Sequence, residues 1–342
     1  MNLDDIGWAH YASQITFQTA PENTRGRVAL VHRDRFLVWT EAGETTATLS
    51  GHLRHTDSSQ PSVGDWVTLR ERTVISEVLP RRTALSRKEP GRRLHEQVLA
   101  ANMDLLFIVT GLDRDYNPRR IERYLVLAHE SGARPIVLLN KADLRNDVDD
   151  VIRLTEHHAP GVPVFALSAL EQWGLDAIAR HVQPAQTAAL IGSSGAGKST
   201  IVNALLGQAR QSTALVRESD SKGRHTTTHR ELILMPGGWL LMDLPGLREL
   251  QLWADPKDID DAFAEIAELA AQCKFRDCSH QTEPGCAVRD AALDPARLAS
   301  YRKLQRELQY LERKRDIHRA HEERKKWNAI EKDIRRHPKR RF

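Results

Sequence analysis

Nine residues near the middle of the chain, GSSGAGKST, have the composition of a phosphate cradle. Gly192, Ser193, Ser194, Gly195, Ala196, Gly197, Lys198 and Ser199 fit G-x-x-x-x-G-K-[ST] without a gap, and Thr200 follows. Glycines let backbone N–H groups converge on an anion where Cβ atoms would obstruct them. Lys198 is placed for β- and γ-phosphate oxygens, and Ser199 for the Mg²⁺ that accompanies them. The run TAALI before the loop reads as a strand, and STIVNALLG after it as a helix whose N-terminus adds partial positive charge. A Gly/Ser turn with a surface lysine would not need that context.

A phosphate loop alone does not choose the base. Asn140-Lys141-Ala142-Asp143 does, because it closes the apolar run PIVLL at what reads as a strand end. The Asp143 carboxylate accepts from guanine N1–H and the 2-amino group together, whereas adenine presents a lone pair there. Losing two charge-assisted hydrogen bonds of about 1.5–3 kcal/mol each is a large penalty for the wrong base. Asn140 and Lys141 would hold the loop and cover the base. Ser168-Ala169-Leu170, at the next strand end, would bring a backbone N–H to guanine O6.

Two further segments carry switch chemistry. Asp243-Leu244-Pro245-Gly246 ends a later strand, with Asp243 suited to the Mg²⁺ shell and the Gly246 N–H to sensing a γ-phosphate. The polar stretch SDSKGRHTTTHREL holds Thr226, Thr227 and Thr228, one of which completes the Mg²⁺ site; Thr227 is favoured. Leu247 stands where many GTPases keep a water-orienting glutamine. His225 is the nearest replacement in the sequence, either as a catalytic group or as a contact to a partner.

All three cysteines lie within fourteen residues, as C-x₄-C-x-H-x₅-C. Cys273, Cys278, His280 and Cys286 offer four N/S ligands and no carboxylate, which suits a closed tetrahedral structural Zn²⁺. Pro284-Gly285 supplies the turn that returns Cys286.

Three kinds of element must position these groups. Residues 25–82 alternate in five short runs (GRVALVHR, RFLVWTEA, ETTATLSG, DWVTLRER, TVISEVLP) and predict a small barrel, of OB or SH3-like type. Residues 83–100 are basic, with Pro and Gly and no period, and read as a linker. Residues 101–254 alternate strand and helix, which predicts an α/β domain with a parallel sheet and helices on both faces. Residues 255–342 read as helical around the cysteine cluster, with a long charged helix from Pro295 and a structureless final dozen residues. Residues 1–24 form an N-terminal extension.

Of the net charge of +4, residues 301–342 hold 16 Lys/Arg against 7 Asp/Glu, a surplus of +9 that leaves −5 on the rest. A polyanion would meet this tail first. No apolar run is long enough to span a membrane, and the N-terminus lacks the features of a secretion signal, so the cytoplasm is the expected compartment.

The order of the motifs is unusual. Base motif, SAL, phosphate loop, threonine switch and DLPG follow one another, whereas ordinary GTPases begin with the phosphate loop. This is the same sheet cut elsewhere, a circular permutation. With the N-terminal barrel and the Cys₃His cluster, NKAD, GSSGAGKST, GRHTTT and DLPG resemble the small ribosomal subunit biogenesis GTPase family (RsgA-like) over about residues 25–315. Two departures are Ala196, where valine is common, and Leu244, where threonine often follows the Asp; neither removes a needed group. The resemblance implies an OB-fold, a circularly permuted P-loop GTPase and an α-helical zinc-binding domain. It implies hydrolysis of GTP to GDP with Mg²⁺, stimulated by the small ribosomal subunit late in its maturation. The expected partner is rRNA, not DNA or membrane, and the expected state is a monomer. It places nucleotide contacts on Asn140, Lys141, Asp143 and Gly192 to Thr200, and zinc on the four cluster residues. Two alternatives are a permuted GTPase switch acting on a protein partner and a non-enzymatic, GTP-gated placeholder.

Overall fold

The computed structural model describes residues 1–16, 23–54, 60–88, 96–207, 230–244, 254–276, 278–291 and 293–336, with side chains beyond 314 described only at Arg324. In chain order these residues form α1 (Trp8–Ala12), β1 (Thr24–His32), β2 (Arg35–Thr40), β3 (Gly43–Leu49), α2 (Gly51–Arg54), β4 (Trp66–Arg70) and β5 (Val74–Val78). A ribbon of β6 (Ala84–Lys88) and β7 (Glu96–Ala101) leads to β8 (Leu105–Gly111), α3 (Pro118–Ser131), β9 (Arg134–Asn140), α4 (Val148–His158) and β10 (Val164–Ala166). Then come α5 (Asp176–His181), β11 (Thr187–Gly192), α6 (Lys198–Leu206), β12 (Glu231–Leu234) and β13 (Leu240–Asp243). The C-terminal part is α7 (Pro256–Ala262), α8 (Ala264–Ala270), α9 (Ala287–Asp290) and α10 (Pro295–Arg336).

The five alternating runs close into the expected barrel. β1 pairs antiparallel with both β2 and β4, and the circuit is completed through β2–β3, a parallel β3–β5 pair and β5–β4. Inward residues Val28, Phe36, Val38, Val67, Leu69 and Ile75 fill it.

The central sheet runs β10-β9-β8-β11-β13-β12, parallel except for β12. β8 reads LLFIVTG and is buried along its whole length, as an interior strand covered on both faces must be. Alternate residues serve two cores. Leu106, Ile108, Val137 and Leu139 pack with α3 and the C-terminal helices, while Phe107, Val109, Leu138 and Leu190 pack with α5 and α6. α3 starts where the Asn117 side chain accepts from Arg119 N, with Pro118 in the first turn, and stops at Gly132 in the left-handed conformation.

One expectation is corrected. The stretch read as a linker contains the antiparallel ribbon β6–β7, with Leu85, Leu99 and Ala100 buried in the larger core. Each short strand has too few apolar residues to show a period, and neighbouring elements supply the packing. The final helix also runs well past the expected PARLASYRKLQRELQYLERKRD segment, to Arg336.

Two buried arginines join the three parts. Arg27 on β1 bonds into the N-terminal segment and the central sheet. Arg297 on α10 donates to Glu122 Oε1 of α3 at 3.2 Å, His158 O of α4 at 2.9 Å and Ala262 O at 3.1 Å. Its guanidinium also lies 4.5 Å from the Phe263 ring centre and bonds to Glu265. Glu122 is fully buried and its Oε1 is also 2.7 Å from His158 Nδ1, so the C-terminal helices are held on the sheet domain by a desolvated ionic network.

Candidate nucleotide and metal sites

β11 delivers the phosphate loop from the middle of the parallel sheet. Gly192, Gly195 and Gly197 have φ of 153°, 88° and 94°, which L side chains rarely adopt. Two of them are also sterically required: a Cβ on Gly192 would lie 2.2 Å from Val109 O, and one on Gly197 2.1 Å from Asn140 Nδ2. Lys198 opens α6, is 7% exposed, and donates from Nζ to Gly192 O at 2.9 Å and Ser193 O at 2.8 Å. Burial pulls its pKa down to about 8, partly offset by the fields of Asp243 and Asp115. A buried ammonium ringed by its own loop's carbonyls is suited to an incoming polyanion. Asp243, buried at the end of β13, stands beside it.

The guanine motif is bonded directly to this loop. Asn140 Nδ2 donates to Ala196 O at 2.9 Å, and Asn140 Oδ1 accepts from Ala169 N at 3.1 Å. One side chain thus ties NKAD, SAL and the phosphate loop together. Lys141 has φ 64°, and Asp143 is exposed in the short turn Ala142–Leu144. Ser168 closes its loop by exchanging backbone hydrogen bonds with Trp173, both 3.0 Å. Gly111, at the end of β8, pairs in register with Asn140, and the loop beyond it carries Asp113 and Asp115. Lys141 Nζ donates to Asp113 at 2.6 Å and holds that carboxyl below the usual range, while Asp115 accepts from Ser193 Oγ. Sequence reading missed both aspartates, since the only signal was acidic residues at a strand end beside the motif. His225, Thr226, Thr227, Thr228, Gly246 and Leu247 lie outside the described residues.

The four cluster residues converge. Their ligand atoms all lie within 4.8 Å of one another. His280 Nδ1 is 3.5 Å from Cys273 Sγ and from Cys286 Sγ, and the two sulfurs are 3.9 Å apart. A tetrahedral Zn²⁺ with bonds of about 2.0–2.3 Å separates its ligand atoms by about 3.4–3.8 Å, so the group fits. The backbone is shaped for it: His280 and Gly285 have φ of 59° and 72°, and Cys286 caps α9, its Sγ accepting from Arg289 N at 3.4 Å. Glu283 fixes the connecting turn by accepting from the Ser279, Gln281 and Thr282 amides. Arg302 of α10 donates to His280 O, which fastens the knuckle to the long helix.

The RsgA GTPase family model matches residues 78–253. A small ribosomal subunit biogenesis GTPase RsgA from Opitutus terrae is 47% identical over 96% of both chains. The chain belongs to the RsgA GTPase family. Further RsgA relatives include one from Oceanobacillus iheyensis, 43% identical over 96% of this chain and 98% of its own. Among solved structures, YjeQ from Thermotoga maritima aligns with a TM-score of 0.63 and 26% identity over 84% of this chain and 99% of its own. YloQ, described as a circularly permuted GTPase, aligns with a TM-score of 0.59 and 23% identity over 88% and 98%, and so shares the fold. As an RsgA family member the chain is a GTP hydrolase on a circularly permuted sheet.

Proposed function

We propose that this chain hydrolyses GTP as an assembly factor of the small ribosomal subunit, bound through rRNA late in that subunit's maturation. The observation that carries the reading is the bonding of Asn140 to both Ala196 and Ala169, which joins a guanine motif to a phosphate loop. The relatives' names supply the particle. Asp143 selects guanine, Lys141 covers it, and the residues from Gly192 to Thr200 hold the phosphates. Ser199, Asp243 and Thr227 would hold Mg²⁺, which screens phosphate charge when bound. Lys198 neutralises charge on the β- and γ-oxygens. His225 is the residue proposed to orient water, and the Gly246 N–H the γ-phosphate sensor.

The barrel is read as an OB-type RNA module. Such folds use the β1–β2 and β4–β5 loops for oligonucleotides. Here those turns expose Arg33 and Arg35, and Arg70 and Arg72. The basic end of α10 adds a salt-dependent phosphate contact. Cys273, Cys278, His280 and Cys286 are proposed to hold one structural Zn²⁺. No helix among the described residues is long and apolar enough to cross a membrane. A cytoplasmic monomer with no DNA partner completes the reading.

The test is GTP turnover with purified small subunits, large subunits or neither, over a salt series. Stimulation by small subunits alone, weakening as salt rises, is the expected result. Unchanged turnover would favour a GTP-gated placeholder, and stimulation insensitive to salt a switch acting on a protein.

A further inference from the structure

The loop after β8 touches both halves of the nucleotide site. Asp113 Oδ2 accepts from Lys141 Nζ at 2.6 Å, and Asp113 Oδ1 accepts from Asp115 N at 3.0 Å. Asp115 in turn accepts from Ser193 Oγ of the phosphate loop and from Arg120 Nη1 at 2.5 Å. The loop is seated by the β8–β9 register, with Leu112 N donating to Asn140 O at 2.8 Å.

Lys141 is fixed at three points. Its backbone is left-handed, at φ 64°. Its Cδ passes 3.4 Å from the place a Cβ on Gly111 would occupy, so the stem runs against a residue with no side chain. Its ammonium is held by Asp113. The two side chains are 29% and 32% exposed, so their attraction adds little to folding. What the pair can supply is order. A free lysine side chain samples many rotamers, and a partner that fixes it beforehand removes part of the cost of ordering it from ligand binding.

We propose that Asp113 is a positioning residue of the guanine site, whose ion pair with Lys141 lays the lysine stem along Gly111 and presents it to one face of the bound base. This rests on the guanine reading of Asn140, Lys141 and Asp143.

The test measures affinity and dissociation rate of a fluorescent GDP for the full chain and for Asp113→Ala, Asp113→Asn, Asp113→Glu, Lys141→Met and Asp113→Ala/Lys141→Met. Asp113→Ala weakens GDP binding by about fivefold to tenfold, chiefly through faster release, because the stem must then be ordered by the ligand. Asp113→Glu restores most of the loss. Asp113→Asn keeps the acceptor for Asp115 N, and so reports the loss of charge in a folded loop. In the Lys141→Met background, which keeps most of the apolar stem, Asp113→Ala adds less than about twofold, the mark of a shared interaction. An effect of Asp113→Ala below twofold, or one equally large without the lysine ammonium, overturns the proposal. The second result would assign Asp113 to supporting Asp115 and Ser193 instead. Equal binding of ADP and GDP by the unaltered chain would overturn the guanine reading, and this proposal with it.

Discussion

Arg27 on the first barrel strand donates to Thr187 Oγ1 at 2.8 Å, and Thr187 is the first residue of the strand that ends in the phosphate loop. The same guanidinium reaches Ile6 O at 2.5 Å and Asn102 O at 3.1 Å and lies 5.3 Å from the Trp66 ring centre. The barrel is therefore joined to the nucleotide domain through a buried cation bonded to carbonyls and a hydroxyl. Burial draws its pKa down to about 10. Arg27→Met keeps much of the volume but orphans the Ile6 and Asn102 carbonyls. At about 1–3 kcal/mol for each unpaired buried group, stability should fall by about 3 kcal/mol. Urea unfolding followed by tryptophan fluorescence measures it, and an unchanged midpoint would mean the joint is held by packing alone.

Lys198 makes the nucleotide-free protein sensitive to alkaline pH. Its folded pKa of about 8 lies below the ordinary 10.5, so between those values the unfolded chain binds more protons than the native one. This group's contribution to stability therefore rises with pH through that window and is lost as pH falls through about 8. Lys198→Met should remove the slope. Phosphates favour the charged form, so GDP binding near pH 8.5 should be accompanied by proton uptake. Titration calorimetry in two buffers of different ionisation enthalpy detects it; identical heats would contradict the reading.

Two glycines of the phosphate loop should respond differently to alanine. A Cβ on Gly195 meets nothing within 4 Å, leaving only the strain of φ 88°, whereas on Gly197 it meets Asn140 Nδ2 at 2.1 Å as well as carrying φ 94°. Backbone strain of this kind costs about 1–2 kcal/mol. Gly197→Ala should exceed that by breaking the Asn140–Ala196 bond, seen as a lower unfolding temperature without nucleotide. Equal shifts for the two variants would show that Asn140 yields freely.

Much of the nucleotide site was legible because its chemistry is written in short strings. GSSGAGKST, NKAD and the Cys₃His spacing each state their partners within a few residues, and alternation exposed all five barrel strands. What stayed hidden depends on distance along the chain. Glu122 interrupts the apolar face of α3 and looks like a solvent position, yet it is fully buried because Arg297, 175 residues later, folds back onto it. Asp113 and Asp115 belong to no motif; the β8–β9 and β8–β11 registers place them beside Lys141 and Ser193. The ribbon β6–β7 has no period of its own, because other elements bury it.

Zinc should be needed for the C-terminal knuckle to hold its shape. About one zinc per chain is expected by atomic absorption, falling well below that in Cys286→Ala. Since Cys286 also caps α9 and Arg302 secures the His280 carbonyl, loss of the ligand should loosen the start of α10. Proteolysis in the 270–305 region, mapped by mass spectrometry with and without chelator, reads this out; equal protection would leave the cluster without a structural metal.

The place of β11 in the sheet also sets an order of events during synthesis. β8 and β9 are translated first and can pair at once, but β8's other neighbour is β11, made only after α3, β9, α4, β10 and α5. Until then one edge of a strand that is buried along its whole length in the finished domain stays open on the nascent chain. The phosphate loop is thus threaded between strands already present or still to come, and the nucleotide pocket is completed near the end of the domain's synthesis. A permutation that leaves the finished sheet unchanged lengthens the interval in which the open edge of this buried strand needs cover.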